Sequence, residues 1–170
     1  FETDYNMETL TAMAKGLRKT VRKKRSRRVH IFAAVVLILG LLTILATTAG
    51  GEPLGASGVV TLLAMLVVIL VSLFEDRLNA WFARKRLLPG TEHAAATFEE
   101  DGYVSATGVT ESRFSYAQIV AVAETARYFV FALSSHHTQA YDKRTIRGGS
   151  VEDFRAFIAE KTGKPIANIK

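Results

Sequence analysis

Apolar residues recur along the chain with three different periods, and each period predicts a different kind of element. Residues 29–48 and 57–74 are apolar almost throughout, without the regular polar positions that give a helix or strand a wet face. Twenty residues of helix at about 1.5 Å each reach about 30 Å, the thickness of the hydrocarbon core of a bilayer. Between Ile31 and Phe74 the one ionisable side chain is Glu52, in a connector, residues 49–56, that also holds Gly50, Gly51 and Pro53. Both stretches can therefore cross hydrocarbon without carrying a charge into it, and the pair reads as a transmembrane hairpin. A cleaved signal peptide is the competing reading of the first stretch, with Ala46-Thr47-Thr48-Ala49 as its small residues. The 28 residues before that stretch and the second apolar run after it argue against cleavage.

On either side of the hairpin the period becomes that of an amphipathic helix. Met7, Leu10, Ala14, Leu17 and Val21 recur at three- and four-residue steps, with Asn6 placed to cap and Glu8 in the first turn. With no Pro or Gly after Gly16, this helix is predicted to run unbroken into the first apolar stretch; a helix lying on the membrane surface is the competitor. Residues 1–5 can extend as a short strand. The second apolar stretch is likewise predicted to continue through residues 75–88 and to stop before Pro89-Gly90. Phe74, Leu78, Trp81, Phe82 and Leu88 fall near one face of that extension. Trp81 fits either an interfacial belt or packing against the N-terminal helix or the soluble domain. An antiparallel hairpin would bring Glu75 and Asp76 close to Arg27 and Arg28.

From Thr91 the period drops to two. Residues 94–98, 103–107, 112–115, 119–124, 128–133 and 138–142 read as strands, divided by turn residues such as Asp101-Gly102 and Gly108. A helix closes the chain, with Ser150 as N-cap, Asp153 three residues later, Val151, Phe154, Phe157 and Ile158 on one face, and Gly163 and Pro165 as stop signals. The fold class is α+β: a two-helix transmembrane hairpin with a cytoplasmic antiparallel β-meander capped by a C-terminal helix. Four segments follow. Residues 1–28 form a cytoplasmic strand and basic amphipathic helix, 29–74 the hairpin, 75–89 a cytoplasmic helix extension, and 90–170 the β-rich domain.

Charge sets the topology. Of the net +6, nine Lys or Arg side chains lie between Lys15 and Arg28, among them Arg22, Lys23, Lys24, Arg25, Arg27 and Arg28 just before the first span. Arg77, Arg84, Lys85 and Arg86 follow the second span, and the connector has no basic residue. Basic flanks stay in the cytoplasm, so both termini are expected there, and the same side chains can contact anionic lipid at about 1 kcal/mol each. No aromatic residue interleaves with the basic run and no base-reading motif is present, so nucleic acid is not an expected partner. With no cysteine in the sequence, disulfides and thiolate metal sites are excluded.

Catalytic chemistry finds little support. His136 and His137 are adjacent, and neighbours on a strand point to opposite faces, so a shared metal is not expected. Ser57 and Ser150 lie outside any nucleophile elbow, and Gly163-Lys164 lacks the earlier glycine of a phosphate loop. Glu99, Glu100 and Asp101 read as a solvated tip. Tyr116, Tyr128, Phe129 and Phe131 read as core or sheet-face residues. Lys143, Arg144 and Arg147 follow the last strand beside Gly148-Gly149 and are the candidates for contact with a phosphate or an acidic partner. No catalytic, cofactor-binding or metal-binding residue is assigned, and no small-molecule substrate is evident.

The order of elements, together with Phe114-Ser115-Tyr116-Ala117-Gln118-Ile119, Glu124, Tyr128-Phe129-Val130-Phe131, Lys143-Arg144 and the closing helix over residues 152–157, resembles the YcxB-like family of bacterial membrane proteins. Where family members often carry Pro before that Lys-Arg, this chain has Asp142. The C-terminal region also looks like a small pleckstrin-homology-type domain. The resemblance implies a multi-pass protein of the bacterial inner membrane and brings no biochemical activity with it. The expected function is non-enzymatic: membrane lipids hold the hairpin and the cytoplasmic domain binds a protein, either a second copy of the chain or a toxin whose action it blocks. Anionic-lipid sensing is the alternative, and a small transporter or enzyme is disfavoured by the uncharged spans.

Overall fold

The computed structural model describes residues 1–169 and separates them into two compact units, residues 24–75 and residues 1–23 with 76–169. The first holds the long apolar helices α2 (Lys23–Ala49) and α3 (Ala56–Leu73), each long and apolar enough to cross a membrane. No residue of either helix is buried. They meet where Gly40, having no side chain, lets Met65 and Thr61 approach its Cα, the small-residue contact by which helices pack without a hydrophobic driving force.

The other unit is built from both ends of the chain. Strand β1 (Glu2–Asp4) precedes helix α1 (Met7–Lys19), and helix α4 (Glu75–Lys85) leads to β2 (His93–Phe98), β3 (Gly102–Thr107) and β4 (Glu111–Ser115). A 3-10 turn at Tyr116–Gln118 then divides the meander. After it come β5 (Ala121–Glu124), β6 (Tyr128–Ala132), β7 (Thr138–Asp142), helix α5 (Val151–Thr162) and β8 (Ile166–Asn168). Two four-stranded sheets result, ordered β1-β2-β3-β4 and β7-β6-β5-β8. Residues 1–5 do enter the sheet: β1 pairs antiparallel with β2, Thr3 opposite Ala94. β8 adds parallel to β5, Ala123 opposite Ala167.

The main core lies between the sheets and under α5. Phe98, Tyr103, Phe131, Tyr141 and Phe154 meet mostly edge to face, with Phe98 and Phe131 centroids 5.9 Å apart and Phe98 and Phe154 4.8 Å apart, the geometry aromatic quadrupoles favour. Two phenols, Tyr103 and Tyr141, each donate to Gln139 Oε1 at 2.7 Å, so the buried hydroxyls are satisfied. Burial pushes both phenols' pKa values upward. Helix α5 starts at the expected capping box of Ser150 and Asp153 and ends at Gly163, whose φ of 62° only glycine adopts cheaply.

Every residue of β6 is buried because the second sheet is covered on both faces. Phe129 and Phe131 point into the main core, whereas Tyr128 and Val130 pack with Ala123, Ala140, Ala12 and Met13 beneath α1. A Cβ added to Gly16 would lie 2.7 Å from Val130 Cγ1, so the absence of a side chain at Gly16 is what lets α1 reach the sheet. Two helical continuities expected from the sequence are broken. α1 ends at Thr20, whose N–H and Oγ1 both donate to the Gly16 carbonyl at 3.1 and 2.7 Å, before α2 starts afresh at Lys23. The extension of α3 is interrupted at Phe74, and its second part, α4, stops at Lys85 rather than at residue 88.

Replacing Gly16 by Leu forces a branched side chain onto Val130 in a strand that cannot retreat. The gain in helix propensity, about 1 kcal/mol, is smaller than the effect of overpacking and lost docking, so Gly16→Leu should be less stable by about 1–3 kcal/mol. Thermal unfolding of the detergent-solubilised protein checks this, with Lys19→Leu on the exposed side of α1 as the reference.

Candidate interaction surface

The three cations grouped by the sequence end in different environments, because β7 runs directly into a 3-10 turn at Lys143–Thr145 that reverses the chain. Lys143 turns inward and is 13% exposed. Its Nζ donates to Glu124 Oε1 and to the Thr125 carbonyl, both at 2.6 Å. Glu124 also receives Arg155 Nε and Nη2 from α5, both at 2.8 Å. A buried carboxylate at the end of β5 therefore ties the last helix to the β7 turn, and Lys143 serves that joint rather than an outside partner.

Asp142 shapes the same turn from the other side. Its carboxylate accepts the Arg144 backbone N–H at 3.0 Å, the Arg144 guanidinium at 2.9 and 3.2 Å and Arg127 Nε at 2.9 Å. Arg127 reaches on to Glu8 at the start of α1. An aspartate thus caps this turn. Arg144 and Arg147 remain outward, 65% and 80% exposed, with Arg147 Nη2 2.9 Å from Glu2.

Beside these arginines lies an open groove of about 490 Å³, lined by Phe98, Ile146, Phe154 and Phe157 with Arg147 and Ser150 at its rim. The groove floor is core aromatic surface, and its rim carries Arg147, paired with Glu2, together with Asp153. The N-terminus of α5 is closed by its own side chains: Asp153 N–H donates to Ser150 Oγ at 3.0 Å, and Ser150 N–H donates to Asp153 Oδ2 at 3.0 Å. The Ser150 hydroxyl also donates to Asp153 Oδ2 at 2.6 Å, and that bond, with the one from the Ser150 backbone N–H, holds the Asp153 carboxyl below its usual pKa.

The membrane-flanking cations divide as well. Arg22 donates to the Ser135 carbonyl at 2.6 Å and lies 3.0 Å from His136 Nδ1, so it fastens the turn after α1 to the loop between β6 and β7. In that loop Ser134 Oγ accepts the His136 and His137 backbone N–H groups, and the His137 ring turns to Phe114. Among the described residues no group of three or more His, Cys, Asp or Glu side chains is placed to hold a metal. Lys23, Lys24, Arg25, Arg27 and Arg28 are all exposed on the first turns of α2, where the helix dipole disfavours positive charge. Asp76 is held by Arg18 through two hydrogen bonds of 2.7 and 2.6 Å, and His30 Nε2 lies 3.7 Å from Glu75. The Glu124 joint escaped the sequence reading, although a lone carboxylate after Ala-Val-Ala in a buried strand is itself a signal that a cation must meet it.

What these features define is a class: an α+β unit of two sheets and a closing helix, interrupted in sequence by a pair of helices that fit a two-span membrane protein by length and composition. Residues 98–158, from the end of β2 into α5, match the model of the family described as YcxB-like protein, the family its motifs resemble. No curated protein and no solved structure matches the chain.

Glu124 has a carboxyl pKa lowered from 4.5 to about 2, chiefly by the hydrogen bonds from Arg155, with Lys143 adding to the effect against the opposing cost of burial. A depressed folded value means that the stabilisation is complete above about pH 4.5 and is lost as pH falls through about 2. Glu124→Gln should therefore cost about 3 kcal/mol at neutral pH. The gap between variant and parent should close steadily from about pH 5 downward, a trend that chemical denaturation across pH measures directly.

Proposed function

We propose that the protein is a multi-pass bacterial inner-membrane protein with both ends in the cytoplasm, and that its α+β unit binds a protein partner without catalysing a reaction. The observation that carries the reading is the shared unit. Residues before α2 and residues after α3 fold together, so a membrane crossed by α2 must be crossed back by α3. Two further features support it. Neither apolar helix has a buried residue, so each needs an apolar surrounding from elsewhere. The basic residues also lie at the outer ends of the pair and are absent from residues 50–55 between them.

For the partner, the open groove beside Arg147 offers an apolar aromatic floor with a rim of both charge signs, a combination suited to a segment with apolar anchors. Either a second copy or a toxin would meet the protein through such a surface. Anionic-lipid sensing is a second reading, favoured by the exposed cations on the first turns of α2, whose position is unfavourable for the helix itself.

The cysteine-free sequence makes topology directly testable. A membrane-impermeant maleimide should label Glu52→Cys in intact cells and Glu100→Cys only after permeabilisation; the reverse pattern, or equal labelling of both, defeats the hairpin. For the partner, crosslinking of the full-length protein in its own membranes should recover a stoichiometric protein that is lost when Arg144 and Arg147 are both Ala. Lys143 is kept intact in that variant because its loss would remove one of the two cations that hold Glu124. Recovery of anionic lipid alone, falling steeply with salt, would favour the second reading instead.

A further inference from the structure

Helix α4 turns its polar and small residues toward its own unit and its large apolar ones away. Asp76 is held by Arg18, Ala80 is fully buried, and Leu87 just beyond the helix lines a small groove with Tyr5, Leu10 and Met13. Asp76 and Ala80, four apart, lie on one helical face. The bidentate Arg18–Asp76 pair fixes the rotation of α4 against α1. On the opposite face stand Leu78, Trp81 and Phe82, at 38%, 44% and 51% exposure, and beyond the helix end Leu88 is also exposed. Lys85 Nζ lies 3.6 Å over the Trp81 ring. Between Arg77 and Thr91 there are four cations, Arg77, Arg84, Lys85 and Arg86, and no acidic residue.

From this juxtaposition we infer that α4 is an interfacial helix: its Leu78–Trp81–Phe82 face inserts at the headgroup level of the anionic leaflet while its cations pair with lipid phosphates. The inference rests on α3 crossing the membrane, because α4 begins two residues after α3 ends and so starts at the surface α3 leaves. An apolar stripe flanked by basic side chains is the composition that lies in an interface plane. Trp and Lys suit that depth, each with an apolar body and a polar end. Charge selects the occupant. A net +4 over fifteen residues with an apolar centre matches an anionic lipid surface better than a neutral protein face.

Trp81 is the sole tryptophan, so intrinsic fluorescence reads this helix alone. The full-length protein is reconstituted into vesicles of phosphatidylcholine and phosphatidylglycerol whose acyl chains carry bromine either near the headgroup or near the chain end. Trp81 emission should be blue-shifted, more strongly quenched by the shallow bromine than by the deep one, and shielded from acrylamide; Leu78→Ser with Phe82→Ser should undo all three. A Trp81→Phe background carrying Leu39→Trp tests the anchor separately, since the tryptophan introduced at position 39 should be quenched best by deep bromine. Deep quenching at position 39 with Trp81 acrylamide-accessible and unquenched by either lipid overturns the interfacial helix and leaves the hairpin standing. Absence of lipid quenching at both positions overturns both.

Discussion

The ladder between β1 and β2 is the constraint on which the rest depends. It joins chain that precedes the apolar helices to chain that follows them, with Glu2, Thr3 and Asp4 opposite Ala95, Ala94 and His93. Once β1 is fixed, Asn6 caps α1 by accepting from Glu8 and Thr9, and α1 is delivered over β6 and β7. Without that cover Val130, Ala123 and Ala140 would face water on the outer side of the second sheet. Burying a side chain of Val or Leu size is worth about 1.5–3 kcal/mol, so the N-terminal arm is part of the domain's core and not an appendage. The apolar helices are then an excursion between two halves of one folded unit.

Charge is spent differently inside that unit and around the apolar helices. Within it, carboxylates gather cations: Glu124 takes Lys143 and Arg155, and Asp142 takes Arg127 and Arg144. Both acids are buried, at the ends of β5 and β7, so neither would be tolerated without those partners. Around α2 and α4 the arrangement inverts. Cations crowd the first turns of α2 without an acidic residue among them, and four more follow Asp76 with none before Glu92. A folded protein gains little by holding like charges together, and an anionic surface is what would offset the repulsion.

The elements that were legible in the sequence are those whose own residues carry a period. The apolar helices, strands β2 to β7 and the capped helix α5 all declare themselves by spacing, turn residues or caps. Elements defined by a partner do not. β8 is three residues long, too short for alternation to register, and exists because β5 receives it; β1, equally short, reads as a strand in the sequence, but its pairing with β2 does not. The breaks at Thr20 and Phe74 carry no Gly or Pro; beside the first, Arg22 bonds to the loop after β6, a contact 113 residues away in sequence. Lys143 shows the limit for the site. Spacing put it with Arg144 and Arg147, but the 3-10 turn points neighbours in different directions, and its partner Glu124 lies 19 residues upstream in another strand.

The alternation within β6 gives one small unit two distinct surfaces. Phe129 and Phe131 face the main core, whose aromatic residues Phe98 and Phe154 also line the open groove; Tyr128 and Val130 face α1. α1 leads directly into α2, and its Arg18 holds α4, the helix that follows α3. The elements continuous with the apolar helices therefore lie on one side of the second sheet, and the groove opens from the core on the other. A single central strand, packed on both faces, separates the two surfaces, so that occupying the groove need not disturb the helices that lead into the apolar pair.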